Sequence, residues 1–410
     1  MSGEKSPYSQ TLGGQDGHAI LKMPSDYAAG YEKARQIEPE IAANYIAHTT
    51  IGDPEADPVV DLLFSMPARE RNRLVQGCMD QDEAIKRDAP EPVRNFFEKL
   101  DDAPEWFDPS LARVGIRGFH ANLDLLLQAF VAGVLVEGFT SYISKPFVIT
   151  GRLREQGVRR LKQNNRHVME IFLPGGMERY ADGLKLSVRI RLTHAQIRRL
   201  LLRSDDWDVD AWGMPLSAAH IGLAAANFSA RMLMHSERIG AAFSKEERDG
   251  FMHVWRYSAH LMGVPEAMLW KDERDALKLY DIGIMCEPPI DFESIIMANS
   301  LVNAVPAVVG ITDSEEREKL ANLIYTISRA LIGDDLADQL KYPKTRTFGV
   351  LPILRMRARY ARAMRKVFPG RARAYSFNIL SHFIDVSAYD EEGISYEMPT
   401  HAYAERSEGW

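Results

Sequence analysis

Cysteine is nearly absent from this chain: Cys78 and Cys286 are the only two in 410 residues. Neither belongs to a Cys-x-x-Cys or Cys-x-x-Cys-His pattern, which excludes an intrachain four-cysteine zinc or iron–sulfur site and covalently attached c-type haem. A His-Glu-x-x-His pair is missing, and the glycines of Pro174-Gly175-Gly176-Met177 lead into no Walker-type lysine. Positive charge is not in excess. The net charge of −7 leaves no electrostatic footprint for nucleic acid, so no nucleic-acid partner is expected. Long apolar runs are also lacking. The best of them, Leu125 to Val136, is bracketed or interrupted by Asp124, Gln128 and Glu137 and is too short to span a bilayer, so no transmembrane segment is expected. The first residues carry neither an apolar signal core nor a twin arginine, and the expected location is cytoplasmic. No repeat period, sustained heptad or convincing series of strands appears.

What remains is ordinary globular composition, 46% hydrophobic and 26% charged, with helical periodicity throughout. The expected fold is all-α, a largely single-domain arrangement of many helices with N- and C-terminal helical extensions. A polar, flexible segment is expected over 1–25 and a mostly acidic helical layer over 26–105. There Pro58 and Pro92 suit first-turn positions of helices near 59–66 and 93–100. The break Pro104 to Pro109 introduces a core over 106–312, followed by helices over 313–376 and an acidic tail over 377–410. Within the core, 111–140 reads as one long apolar helix or a broken pair. Further helices are expected near 154–172, 184–203, 246–262 and 314–332, with Ser217 capping one that runs to about Met232.

One stretch stands out. Leu186, Ile190, Ile197 and Leu201 share a helical stripe, and His194 fills its remaining slot. Arg191 and Arg198 stand three residues before and four after it. An imidazole, apolar walls and two guanidinium groups on one face match the needs of haem: an axial nitrogen, a lining for the macrocycle and cations for the propionates. The same pattern also describes a core histidine with arginine stems covering the edge of the core. Lys162 borders the stripe Val158, Leu161, Asn165, Val168 and Phe172, from which its amine can turn inward or snorkel outward. Glu137, at the end of the most apolar run, is a candidate buried carboxylate. The run Arg355 to Arg373 reads as a solvated helix face.

The segment from Trp106 to Trp270 resembles the haem-dependent oxygenase family that includes latex-clearing proteins, or rubber oxygenases, and fungal oxygenases of the mycophenolic acid pathway. The pieces that carry the resemblance follow one another over about 165 residues. They are Trp106-Phe107-Asp108, Thr150-Gly151-Arg152-Leu153, Arg159-Arg160-Leu161-Lys162, Pro174-Gly175-Gly176-Met177, Arg191-Leu192-Thr193-His194-Ala195, Trp212-Gly213-Met214-Pro215 and Leu261-Met262-Gly263-Val264-Pro265. The resemblance implies haem b as cofactor, with His194 as proximal iron ligand and Lys162 as a distal ligand that leaves when substrate enters. It places Arg159 near the distal pocket and Arg191 and Arg198 around the macrocycle. Two positions depart from the rubber-cleaving pattern: Gln163 stands where those members carry threonine, and 141–146 hold no carboxylate to act as base. Glu137 and Glu155 lie nearby but out of register.

The expected function is therefore oxygenation of an apolar organic substrate, olefinic or lipid-like, with O2, leaving room for an electron donor. Two alternatives stand beside it: a haem protein of redox or gas-sensing type without turnover, and a cofactor-free helical interaction protein.

Overall fold

The computed structural model describes residues 23–149, 156–368, 370 and 398, with only the backbone described at 147, 148 and 156–160. Among these residues every regular element is a helix. An N-terminal layer contains α1 (Ala28–Ala34), α2 (Pro39–His48), α3 (Ala56–Leu63), α4 (Ala68–Met79), α5 (Glu83–Asp88) and α6 (Glu91–Lys99). Pro92 occupies the first turn of α6, where its missing N–H costs nothing. Pro58 lies inside α3, which begins two residues before it.

The ambiguous apolar stretch is a broken pair. After α7 (Pro109–Ala121) the chain turns at Asn122, and α8 (Leu123–Ala129), a π turn over Phe130–Val134 and α9 (Leu135–Gly138) continue as one rod. The Asn122 amide explains the break, since it donates to the carbonyls of Gly118 and Ala242 and receives the Ala242 N–H. By length and composition the two arms together would pass for a membrane span, but they are bent by 82°; no single described helix is long and apolar enough to cross a membrane.

After α10 (Lys145–Ile149) come α11 (Gln156–Phe172) and α12 (Asp182–Leu201), a helical hairpin joined by the glycine turn. The turn Thr150 to Leu153 lies outside the described residues. The short α13 (Val209–Trp212) leads into α14 (Ala218–Ala226), a second π turn over Asn227–Arg231 and α15 (Met232–Arg238). Ser217 caps α14 as expected, accepting the His220 N–H. Helix α16 (Lys245–Leu261) starts with a reciprocal Ser244–Glu247 capping box. It packs so closely on α7 that a Cβ on Gly115 would stand 2.1 Å from the Gly250 carbonyl carbon. Glycine is required at that crossing.

Helices α17 (Glu273–Cys286), α18 (Phe292–Val308), α19 (Ser314–Ile332), α20 (Asp334–Gln339) and α21 (Val350–Val367) complete the chain. One large apolar core joins the N-terminal layer to α7–α18. A smaller core packs α19 and α20 against Ala129, Ala132, Val136, Ala298 and Val302. Burying these side chains stabilises the fold by roughly 25 cal/mol for each Å² of apolar surface removed from water.

Candidate functional site

Helix α12 passes through the large core and presents different chemistry to its neighbours. The apolar stripe is buried at Leu186, Ile190 and Leu201, and His194 on that stripe is half-buried. Two turns earlier on the same side, Ser187 contacts α11 and α16. Its Oγ is 3.1 Å from His167 Nε2 and 3.1 Å from Ser258 Oγ. His167 is sealed in the core, and desolvation lowers its pKa to about 4, so it is neutral at pH 7. Asn165, two residues earlier, is also buried, and its Oδ1 has no hydrogen-bond partner among the described residues. The buried amide therefore has a polar atom left to offer a ligand.

The His167–Ser187 contact fixes the register of the antiparallel hairpin. Continued along both helices, it sets Lys162 at the level of Leu192, about 3 Å along the axis from the level of His194. Lys162 is half-buried. It sits about 140° around α11 from His167, so hairpin geometry brings Lys162 and His194 to one height without turning them directly toward each other. Arg159 is on the first turns of α11, and its side chain lies outside the described residues.

On the same face of α12, ion pairs close its contact with the N-terminal layer. Arg191 is buried and donates from Nε to Asp53 Oδ2 at 2.5 Å, and from Nη2 to Asp53 Oδ1 at 2.8 Å and Glu55 Oε2 at 2.9 Å. Arg198, also buried, pairs with Asp57 and donates to the carbonyls of Pro215 at 3.1 Å and Leu216 at 2.7 Å. Burial raises the cost of charge on Asp53, yet the Arg191 guanidinium more than offsets it and holds the carboxyl below its ordinary pKa. Gly263 completes the clamp with φ +86°. A Cβ there would fall 2.2 Å from Asp53 Oδ2 and 2.6 Å from Arg191 Nε. Three of the sequence pieces that pointed to one family thus meet here, because α12 carries the arginines and the Trp212 and Leu261 loops supply carbonyls and a glycine. The donors expected to face propionates are engaged with the N-terminal layer.

Glu137 is buried, as its position at the end of the apolar run suggested. Arg231 grips it with both Nε, at 3.0 Å, and Nη2, and His235 Nε2 stands 3.0 Å from its Oε2. Burial alone would raise its pKa, but the facing His235 and Arg231 carry it down to about 2. A carboxylate held this firmly in its ionised form is a weak base. It lies where the two π turns meet, and there Asn227 donates to the Val134 carbonyl at 2.8 Å. Such insertions recur beside functional sites.

Sequence periodicity placed Asn165 on a core stripe without marking it as polar and unsatisfied, and left His167 off that stripe. The presence of an amide on an apolar face was the available signal. His220 is sealed as well, between Tyr27 at 2.9 Å, Ser217 at 3.1 Å and Glu287 at 3.4 Å. No group of three or more His, Cys, Asp or Glu residues able to hold a metal ion occurs among the described residues.

The Streptomyces sp. (strain K30) protein named rubber oxygenase is 23% identical over 230 residues, covering 53% of this chain and 54% of that protein. The chain thus matches about half the length of this relative. The solved structure of latex clearing protein in the closed state superposes with a TM-score of 0.61 at 18% identity, covering 83% of this chain and 91% of the other, which shows a shared fold. Residues 117–366 match the family model described as ER-bound oxygenase mpaB/B'/Rubber oxygenase, catalytic domain. With well over half its length inside that match, the chain belongs to the mpaB and rubber oxygenase family of oxygenase catalytic domains.

Proposed function

We propose that this chain is a haem b-dependent oxygenase that acts with O2 on an apolar organic substrate, olefinic or lipid-like, with His194 as the axial ligand of the haem iron. The observation that carries this reading is the contrast among the core histidines. His167, His220 and His235 are fully enclosed in the core, whereas His194 is half-buried on an otherwise apolar stripe. The donor set fits a haem, which needs one protein nitrogen and apolar walls rather than a cluster of ligands. The buried Asn165 amide supplies a polar atom with capacity to spare on the same hairpin.

When bound, the haem supplies the O2 chemistry that side chains lack. The rest is the work of the chain. The clamp of Arg191 and Arg198 on the N-terminal layer holds α12 rigid, so the imidazole between them keeps one orientation. That makes both arginines positioning residues, with any propionate contact secondary. The apolar stripe excludes water. Lys162 serves as a gate: its amine can bind a metal only as the free base. Reaching inward requires the side chain to bend around α11, so the closed arrangement is easily released when substrate enters. Arg159, at the level of Ala195 by the same register, is the candidate distal cation. Glu137 acts as a fixed anion that orients Arg231 and His235 rather than as a proton acceptor.

The test is an absorbance spectrum with a pyridine haemochrome assay on chain produced with ample haem, followed by oxygen uptake with apolar alkenes. One haem b per chain and substrate-dependent uptake are expected. A Soret band that never responds to CO, imidazole or substrate would favour a redox or sensing role, and absence of haem would favour an interaction protein.

A further inference from the structure

Helix α21 carries six basic residues, Arg355, Arg357, Arg359, Arg362, Arg365 and Lys366, and no acidic one. It rests on the smaller core through Val350, Leu351 and Leu354. Its outward side is not the charged face that an ordinary surface helix shows. Ile353, Met356, Tyr360 and Val367 are 52%, 61%, 69% and 65% exposed, and at 3.6 residues per turn they fall within an arc of about 60°. The helix therefore has three sides: a narrow inner one, an outward apolar ridge, and between them a basic flank.

The flank borders an open cleft of about 590 Å³ whose walls include Arg355, Arg359, Arg362 and Lys366. Arg355 and Arg362 are braced there, donating to the carbonyls of Arg238 at 2.9 Å and Gly240 at 2.7 Å. Arg359 and Lys366 have no carboxylate partner among the described residues. The single acidic wall, Glu237, is neutralised by Arg248.

We propose that α21 docks on an anionic phospholipid surface, with the apolar ridge entering the acyl boundary and headgroup phosphates occupying the basic cleft. A ridge of large apolar side chains flanked by arginines is the pattern that binds at such an interface, where burial of apolar area and attraction to anionic lipid add together. A second copy of the chain is a poorer occupant, since it would bring two uncompensated basic flanks together. Lipid also suits a site that takes both apolar surface and phosphate at once.

Flotation of the full-length chain with vesicles tests this. Equimolar phosphatidylcholine and phosphatidylserine vesicles should carry the protein at low salt, with at least about tenfold less on phosphatidylcholine alone. The Met356→Glu/Tyr360→Glu variant should lose vesicle binding and keep the wild-type circular dichroism, because both side chains face solvent. Arg359→Ala/Lys366→Ala should weaken it several-fold. Failure to float on anionic vesicles, equal capture by neutral ones, or an unaffected ridge variant would overturn the proposal. So would protection of α21 amides from hydrogen exchange by inorganic phosphate but not by vesicles, which would make the cleft a free-phosphate site. A concentration-dependent dimer abolished by Tyr360→Glu, without vesicle binding, would make the ridge a self-association face.

Discussion

The contacts of α12 with the N-terminal layer and with α11 solve the problem of buried polarity in opposite ways. Toward the N-terminal layer, Arg191 and Arg198 meet Asp53, Glu55, Asp57 and two backbone carbonyls, so charge is matched donor to acceptor. Toward α11, the polar groups are neutral: His167 has lost its charge to burial, and the Asn165 amide keeps an unused atom. A saturated cluster can lock a helix but has little left to offer a ligand. An incompletely satisfied one costs stability and persists where something else completes it.

Asp53→Ala should strike hardest at the saturated side. It strands a buried guanidinium, and removal of one partner from such a pair costs about 3–5 kcal/mol. Chemical denaturation should show that loss, while haem stoichiometry in the remaining folded protein falls much less, because Arg198 still holds α12. Equal loss of haem and stability would mean the two sides are not separable.

The neutral side should reveal itself through pH. His167 has a folded-state pKa of about 4, below its ordinary value of 6.5. The unfolded chain therefore binds the proton first, and stability falls as pH drops from about 6.5 toward 4, by on the order of 3 kcal/mol at most. His167→Gln should flatten that interval. Glu137 acts at lower pH: its contribution is complete above its ordinary 4.5 and fades as pH falls toward about 2. Stability curves of the two proteins that stay parallel between pH 4 and 6.5 would show that His167 is not the titrating group.

Lys162→Ala should have the smallest effect on folding, within about 0.5 kcal/mol for a half-buried side chain. Its expected consequence is spectroscopic. Wild type should show a low-spin component, and the variant should lack it and bind CO or imidazole faster. Unchanged spin state and binding rates would return Lys162 to an ordinary snorkelling role.

Local signals made much of this architecture legible. Helix α19 spans Ser314–Ile332 as its pattern indicated, because Asp313 caps one end and Gly333, at φ +90°, stops the other. The His194 stripe was equally plain. The break at Asn122 was left open by periodicity alone, since apolar residues continue on both sides and the decision rests with an amide contact to Ala242, 120 residues away. The π turns were invisible because an inserted residue is fixed by the partner helix, not by local preference. The clamp was hidden for a similar reason: Arg191 and Asp53 are 138 residues apart, and an arginine beside a stripe reads the same whether it meets a propionate or a carboxylate. In Asn165 the residue was visible, while its missing partner could be seen only after packing.

The most direct measurement is haem content in His194→Ala, with the pyridine haemochrome assay and circular dichroism run on the same sample. If His194 is the axial ligand, haem should fall to a small fraction of one per chain while helical content is retained, because the Arg191 and Arg198 clamp holds α12 without it. A folded His194→Ala protein with full haem content would contradict this assignment and move the ligand elsewhere.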